Sequence, residues 1–139
     1  MQVNTVPKFN FPLVAYFAGH LHDANRTVLT SFDQHAVADA ATRLPGVRRG
    51  VIVGSWERAR EYPGGPHRLM ADTGAGRIHT GFEGLDRDDV ADFHAAGWPV
   101  HVFQLNQERR LRHALELGTD GGTADDPRAA LGWLASAAS

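Results

Sequence analysis

The sequence has no cysteine, and its 139 residues carry little net charge. The missing cysteine excludes disulfide bonds, thiolate zinc sites and cysteine nucleophiles. The 14 Lys and Arg residues against 16 Asp and Glu residues give a net charge of −2 at pH 7. This near balance argues against a protein that binds nucleic acid through a positive field, so we expect no nucleic-acid partner.

Long apolar runs are also missing. The longest one near the start, residues 11–19, is far shorter than the roughly 20 residues of a membrane-spanning helix. The first residues lack the basic segment and apolar core of a signal peptide, so we expect a cytoplasmic protein without a membrane span. Apolar residues make up 42% of the chain and charged residues 22%, which predicts one folded domain over residues 1–139.

Short apolar segments alternate with helical patterns along the chain. The patterns predict strands at residues 1–6, 27–31, 50–53, 99–105 and 121–124, and helices at 12–22, 34–43, 87–96, 107–117 and 128–136. Residues 56–67, rich in Pro and Gly, are predicted as an exposed loop after a short helical turn, and residues 68–71 as a weak strand. The alternation predicts an α/β protein with a parallel sheet and right-handed crossovers.

Polar residues follow the carboxyl ends of the predicted strands, where parallel α/β folds carry their chemistry. This mixture of a lysine, hydroxyls, amides and carboxylates suits an anionic or polyol ligand. Some of these residues have a second interpretation: Asp33, Asn106 and Asp125 could cap helices, and Lys8 could be a solvated surface lysine. The residues concerned are Lys8, Ser31, Asp33, Ser55, Gln104, Asn106 and Asp125.

The eight histidines do not predict a metal site. His20 and His22 are two residues apart, a spacing that chelates neither on a strand nor on a helix. His94 on a helix and His101 on a strand are predicted to be structural. Ser31 and Ser55 lack the context of a nucleophile elbow, which argues against a serine hydrolase.

Four segments follow one another along the chain: VLTSFD at 28–33, Leu44-Pro45, AAGWPVHVFQLN at 95–106, and GTDGGTADDP at 118–127. In this order and spacing they resemble the C-terminal half of glycerophosphodiester phosphodiesterases. Members of that family are TIM barrels that cleave glycerophosphodiesters into glycerol 3-phosphate and an alcohol with a divalent cation. The resemblance implies a partial (β/α) barrel of about five parallel strands alternating with helices.

The resemblance also implies the residues of a substrate site. The family's fourth strand ends in Asn-x-Glu-x-Lys, and residues 4–8 read NTVPK. Lys8 thus matches the phosphate-binding lysine, whereas Val6 replaces the metal-ligating glutamate and cannot coordinate a cation. Phe103 replaces the family's pocket-lining tryptophan. We expect Lys8, Phe103 and Asn106 at the rim of a phosphate- or glycerol-sized pocket.

The resemblance gives this chain no catalytic residue and no metal ligand. The family's His-Arg motif, the carboxylates of its second strand and its second catalytic histidine match nothing in residues 1–139. Acid/base catalysis contributes roughly 10²–10⁴-fold, and a metal lowers the barrier by several kcal/mol. We therefore expect no hydrolysis and no cofactor for this chain alone, with Mg²⁺ or Ca²⁺ bound only if a partner completes the site.

Half a barrel leaves two open sheet edges, which a closed barrel does not have. A homodimer or a complementary half-barrel chain would cover them. Three hypotheses stay open: an impaired phosphodiesterase that keeps a small phosphate-ligand site, a half enzyme that a partner chain completes, and a non-catalytic dimeric scaffold.

Overall fold

A computed structural model describes residues 2–4 and 27–139 of the chain. Lys8, His20, His22 and the helix predicted at residues 12–22 lie outside the described residues.

Strands and helices alternate through the described residues. They are β1 (Gln2–Asn4), β2 (Val28–Ser31), α1 (Gln34–Arg43), β3 (Arg48–Val53), α2 (Trp56–Glu61), α3 (Gly65–Thr73), β4 (Arg77–Thr80), α4 (Arg87–Ala95), β5 (Val100–Phe103), α5 (Glu108–Leu117), β6 (Gly121–Thr123) and α6 (Pro127–Ala137).

The strands form one parallel sheet in the order β1-β6-β5-β4-β3-β2. The five consecutive strands β2 to β6 curl into a half-barrel, which confirms the predicted partial barrel. Strand β1 lies at the edge opposite β2, with Val3 in register with Gly122 of β6. This position does not agree with the equivalence between residues 4–8 and the family's fourth strand, because consecutive parallel strands usually neighbour each other.

The helices cover one face of the sheet and create the main core. Because side chains alternate along a strand, Val51, Ile78 and Val102 point to that face. They pack there with Trp56 and Phe93, whose ring centroids are 5.0 Å apart in an edge-to-face contact. Burial of this apolar surface is the main force that holds the helices on the sheet.

The opposite, inner face of the half-barrel is more polar. Ile52, His79 and His101 are in register across β3, β4 and β5, and they alternate with the core residues. Thr30 of β2 is in register with Gly50 of β3 on the same face. Thr30, His79 and His101 are all buried.

Residues 56–73 correct the sequence interpretation. The predicted exposed loop and weak strand are wrong, because the segment forms the helices α2 and α3. Ser55 caps α2 through its side chain, and Trp56 is buried at its start. In α3 the buried residues Leu69, Met70 and Thr73 have helical spacing. The Pro and Gly residues occupy the boundary of α3 rather than a long loop.

Strand β4 was not predicted from the sequence at all. It reads RIHT, and all four residues are buried although only Ile78 is apolar. A strand this polar lacks the β-branched apolar pattern by which strands are recognised. Its place between β3 and β5 provides the burial that its composition does not indicate.

Carboxylate caps start three of the helices. Asp33 accepts hydrogen bonds from the backbone N–H groups of His35 and Ala36, which confirms its interpretation as a cap. Asp86 forms a reciprocal capping box with Asp89. Helix α6 is capped by Asp126 and not, as expected, by Asp125.

No helix in the part of the chain that the structure describes is long and apolar enough to cross a membrane.

Two glycines test the packing of the β6 and α6 layer. A Cβ on Gly122 would lie 2.4 Å from Leu105 Cδ1 and 2.7 Å from the Val102 carbonyl oxygen, whereas one on Gly132 in α6 would meet nothing within 4 Å. We expect Gly122→Ala to lower the free energy of unfolding by about 1–3 kcal/mol through overpacking. Gly132→Ala should raise it by about 0.5–1 kcal/mol. Urea unfolding measures both, and an unchanged midpoint for Gly122→Ala would contradict this packing.

Candidate functional site

The carboxyl ends of the strands surround a cavity of about 140 Å³ on the inner face. Phe103, which the sequence predicted as a site residue, lies at the end of β5 and contributes to its wall. The ring of Phe32 meets the ring of Phe103 edge to face, with centroids 6.3 Å apart. The described residues that line the cavity are Thr30, Phe32, Ile52, His79, Phe103, Gln104 and Thr123.

A second, wider groove of about 640 Å³ adjoins the first cavity. Phe103 and Gln104 belong to both linings, so the two spaces are neighbours. The other residues of the groove are Gly54, Gly81, Phe82, Glu83 and Arg110.

Arg110 supplies a positive charge to this groove. It lies in the first turn of α5, directly after the loop that follows β5. Its guanidinium carbon is 5.9 Å from the centroid of the Phe82 ring, a distance typical of a cation–π contact. No carboxylate among the described residues forms an ion pair with Arg110. Its planar set of donors is therefore available to an anion.

The floor of the groove depends on a close backbone contact. A Cβ on Gly81, just after β4, would lie only 2.3 Å from the carbonyl oxygen of Gly54, just after β3. Only glycine permits the loops of neighbouring strands to approach this closely.

Asn106 joins two loops at this end of the sheet. Its amide nitrogen donates to Asp125 Oδ2 at 2.8 Å and to Gln104 Oε1 at 3.1 Å, and its Oδ1 accepts from the Asp125 backbone N–H at 2.9 Å. Asn106 is thus no helix cap, because Gln107 precedes α5 in that position. Asn106 lines neither cavity, and its predicted place at the substrate rim stays a prediction.

His79 and His101 form a buried pair on the inner face. Their ring centroids are 4.9 Å apart. Burial, then the nearby His101 and Arg77, lowers the pKa of His79 from 6.5 to about 3. Burial and Arg77 lower the pKa of His101 to about 4, although Asp120 acts in the opposite direction. Both imidazoles are therefore neutral at pH 7.

The other predicted structural histidine, His94, pairs through one ring nitrogen with a carboxylate. His94 Nε2 lies 2.7 Å from Asp120 Oδ2, an oxygen that also accepts the backbone N–H of Val100. His101 is engaged on one side only: its Nε2 lies 3.4 Å from Arg77 Nη1, and its Nδ1 is buried without a partner in the described part of the chain. The interpretation as a satisfied structural histidine is confirmed for His94 but not for His101.

The two serines considered as nucleophiles have local roles. Ser31 Oγ accepts from the Asp33 backbone N–H at 3.0 Å, and Ser55 Oγ accepts from the Arg58 backbone N–H. Residues 27–139 contain no group of three or more His, Asp or Glu side chains placed to hold a metal ion.

Sequence reasoning missed most of the residues that line the two cavities, among them Thr30, His79 and Arg110. Arg110 is one of several arginines on a solvent-exposed helix, and nothing in the sequence distinguishes it from Arg109 or Arg112. His79 lies on the strand that the sequence did not predict. The alternation of side chains along the predicted strand at residues 27–31 could have assigned Thr30 to the inner face.

The histidine pair generates a prediction about acid stability. Both folded-state pKa values lie below the unfolded value of about 6.5, so the unfolded state binds more protons as the pH falls. The free energy of unfolding should fall between pH 7 and pH 5, by up to about 1.4 kcal/mol per pH unit for each histidine. We expect His79→Gln to flatten this slope, whereas His35→Gln, on the exposed face of α1, keeps it. Urea unfolding at several pH values measures the slope, and an equal slope in all three proteins would refute the explanation.

No protein-family model and no curated protein matches the sequence. Solved structures do match the fold. A phosphodiesterase from Oleispira antarctica, in complex with the product sn-glycerol-3-phosphate, has a TM-score of 0.73 at 21% identity, over 88% of this chain and 47% of that one. A glycerophosphodiester phosphodiesterase from Parabacteroides distasonis has a TM-score of 0.72 at 19% identity, over 92% and 51%.

A putative glycerophosphodiester phosphodiesterase from Galdieria sulphuraria matches as well, with a TM-score of 0.71 at 20% identity over 88% of this chain and 49% of that one. The chain thus spans about half the length of the solved structures that it matches. These matches agree with the four segments found in the sequence and with the parallel half-barrel. The chain has the fold of about half of a glycerophosphodiester phosphodiesterase barrel.

Proposed function

We propose that this chain binds a glycerol phosphate ligand at the carboxyl end of its half-barrel and does not hydrolyse phosphodiesters by itself. The observation that carries the binding proposal is the groove that holds Arg110 beside Phe103 and Gln104. It combines an available guanidinium, an aromatic wall and an amide with the carboxylate of Glu83 on the same lining. A phosphate group needs such donors, and the guanidinium matches its geometry in a bidentate manner.

The comparison with solved structures supports the choice of ligand. The Oleispira antarctica phosphodiesterase holds sn-glycerol-3-phosphate, and its fold matches 88% of this chain. The same chemistry is proposed here for the end of the sheet where parallel α/β folds place their ligands. Lys8 and Asn106 are proposed at the same rim, Lys8 as a second positive charge for the phosphate and Asn106 as the residue that fixes Gln104.

The proposed lack of hydrolysis rests on the residues of this chain. The metal-ligating carboxylates of the family's second strand have no counterpart in residues 1–139. The family's acid/base histidines have no counterpart in residues 1–139. In the proposed arrangement a complementary half would supply these groups and bind Mg²⁺ or Ca²⁺.

The second candidate function is that of a half enzyme that a complementary chain completes. The chain covers 39–51% of five solved structures that it matches, and β1 and β2 are the edge strands among the described residues. A second copy or a separate half-barrel chain would pair with those edges. The scaffold alternative differs from both in that a stable dimer would bind no phosphate ligand.

The binding proposal predicts a specific effect of Arg110. We expect Arg110→Gln to weaken binding of sn-glycerol 3-phosphate about tenfold or more, because a charged hydrogen-bond donor is lost. Arg112→Gln is the matched control, since Arg112 lies two residues along α5 and pairs with Glu108. Isothermal titration calorimetry measures both affinities. Equal affinities for the two variants would contradict the assignment of Arg110.

The proposal also predicts the outcome of an activity assay. The 139-residue chain should not cleave glycerophosphocholine in the presence of Mg²⁺ or Ca²⁺. The mass of the oligomer is measured on the same sample. Turnover that a chelator abolishes would overturn this expectation. It would show that residues of this chain, in one copy or across a dimer, form a working metal site.

A further inference from the structure

Three buried polar atoms on the inner face have no hydrogen-bond partner in the part of the chain that the structure describes. They are Thr30 Oγ1, His79 Nε2 and His101 Nδ1, and of these residues Thr30 and His79 line the cavity. Only 2% of Thr30 and 4% of His79 is exposed. Buried polar atoms in native proteins are nearly always hydrogen-bonded, so exceptions grouped in one place require an explanation.

The fold brings these two side chains to the same cavity. Thr30 is in register with Gly50 on the neighbouring strand. A Cβ on Gly50 would lie 2.9 Å from both Nε2 and Cδ2 of His79, so this edge of the imidazole lies over Gly50. The missing side chain of Gly50 leaves the space in which the ring reaches across β3 towards Thr30. Both residues line the cavity of about 140 Å³.

The remaining walls of the cavity suit a small carbon skeleton that carries hydroxyl groups. Ile52, Phe32 and Phe103 are apolar, and Thr123 and Gln104 add polar atoms towards the carboxyl end. Because Phe103 and Gln104 also line the groove of Arg110, a ligand can lie in both spaces at once.

The charge state of His79 decides which chemical group it can bind. A neutral imidazole exchanges hydrogen bonds with a hydroxyl but offers no positive charge to a phosphate. Among the described residues, the titratable groups that act on His79 are His101 and Arg77, and both favour its neutral form. The Thr30 hydroxyl can donate and accept. Among the described residues that line the two spaces, the only positive charge belongs to Arg110, in the outer groove.

We propose that Thr30 and His79 bind the hydroxyl groups of the glycerol end of a glycerol phosphate ligand, whose phosphate lies at Arg110. The inner cavity is then the specificity-determining part of the site, because it distinguishes a polyol phosphate from an alkyl phosphate. This inference rests on the proposed function, since it assumes that the phosphate binds in the outer groove.

The test compares ligands that differ only in their hydroxyl groups. Calorimetric titrations of the full 139-residue chain use sn-glycerol 3-phosphate, n-propyl phosphate and inorganic phosphate. We expect sn-glycerol 3-phosphate to bind at least about tenfold more tightly than n-propyl phosphate, because the alkyl analogue leaves buried polar atoms unpaired. A titration with glycerophosphocholine shows whether the ligand is the free monoester or the diester headgroup of a lipid.

Substitutions then assign the preference to the two residues. Thr30→Val keeps the shape of the side chain and removes its hydroxyl, and His79→Leu removes the imidazole nitrogens. Both substitutions should lower the affinity for sn-glycerol 3-phosphate roughly tenfold, to about the affinity for n-propyl phosphate. The affinity for inorganic phosphate should stay the same. His79→Gln should restore part of the preference because its amide can hydrogen-bond. Thr42→Val, on the exposed surface of α1, is the matched control.

The outcomes separate this inference from the proposed function. If the wild-type chain binds the three phosphates equally, the role of Thr30 and His79 is refuted and phosphate binding at Arg110 stands. If it binds none of them, both proposals fail. A Thr30→Val chain that keeps the full preference also refutes the role of Thr30. Because this substitution removes an unpaired buried hydroxyl, the variant should fold at least as stably as the wild type, which urea unfolding verifies.

Discussion

The common direction of the strands is the constraint on which the rest of the structure depends. Parallel neighbours need a crossover, and here each crossover between β2 and β6 contains at least one helix that buries its apolar side on the same face of the sheet. The opposite face carries the threonine, histidine and arginine side chains that an ordinary apolar core would reject. Because all strands end in the same direction, their following loops meet at one end and enclose both cavities.

This arrangement separates two kinds of polar recognition within a short distance. Deep in the half-barrel, burial and neighbouring positive groups keep His79 and His101 uncharged, so that hydrogen bonding without charge is the dominant chemistry. At the exposed rim, Arg110 rests on the ring of Phe82 and keeps its charge in contact with water. Phe103 belongs to both regions. A ligand with an uncharged end and an anionic end matches this gradient better than a ligand of uniform charge.

Much of the fold could be predicted from the sequence because periodic patterns and caps are local signals. The helix at 34–43 agrees with its predicted bounds, and Asp33 caps it as expected. The failures have local causes too. Residues 56–73 are rich in turn formers, but those residues sit at helix ends, and the buried positions of α3 are few. The polar strand β4 is buried only because its neighbours enclose it. The candidate site was partly predictable: Phe103 follows a recognisable strand, whereas Thr30, His79 and Arg110 come together only through strand register and tertiary packing.

The hydrogen bonds between Asn106 and Asp125 have a consequence for the thermodynamics of binding. They connect the loop after β5 to the loop after β6 through one side-chain pair and one backbone contact, and they hold Gln104 as well. The conformational entropy of these loops is therefore lost when the chain folds and not when a ligand arrives. A pre-organised loop pair of this kind lets even a small ligand, with few contacts of its own, bind without first having to order its surroundings.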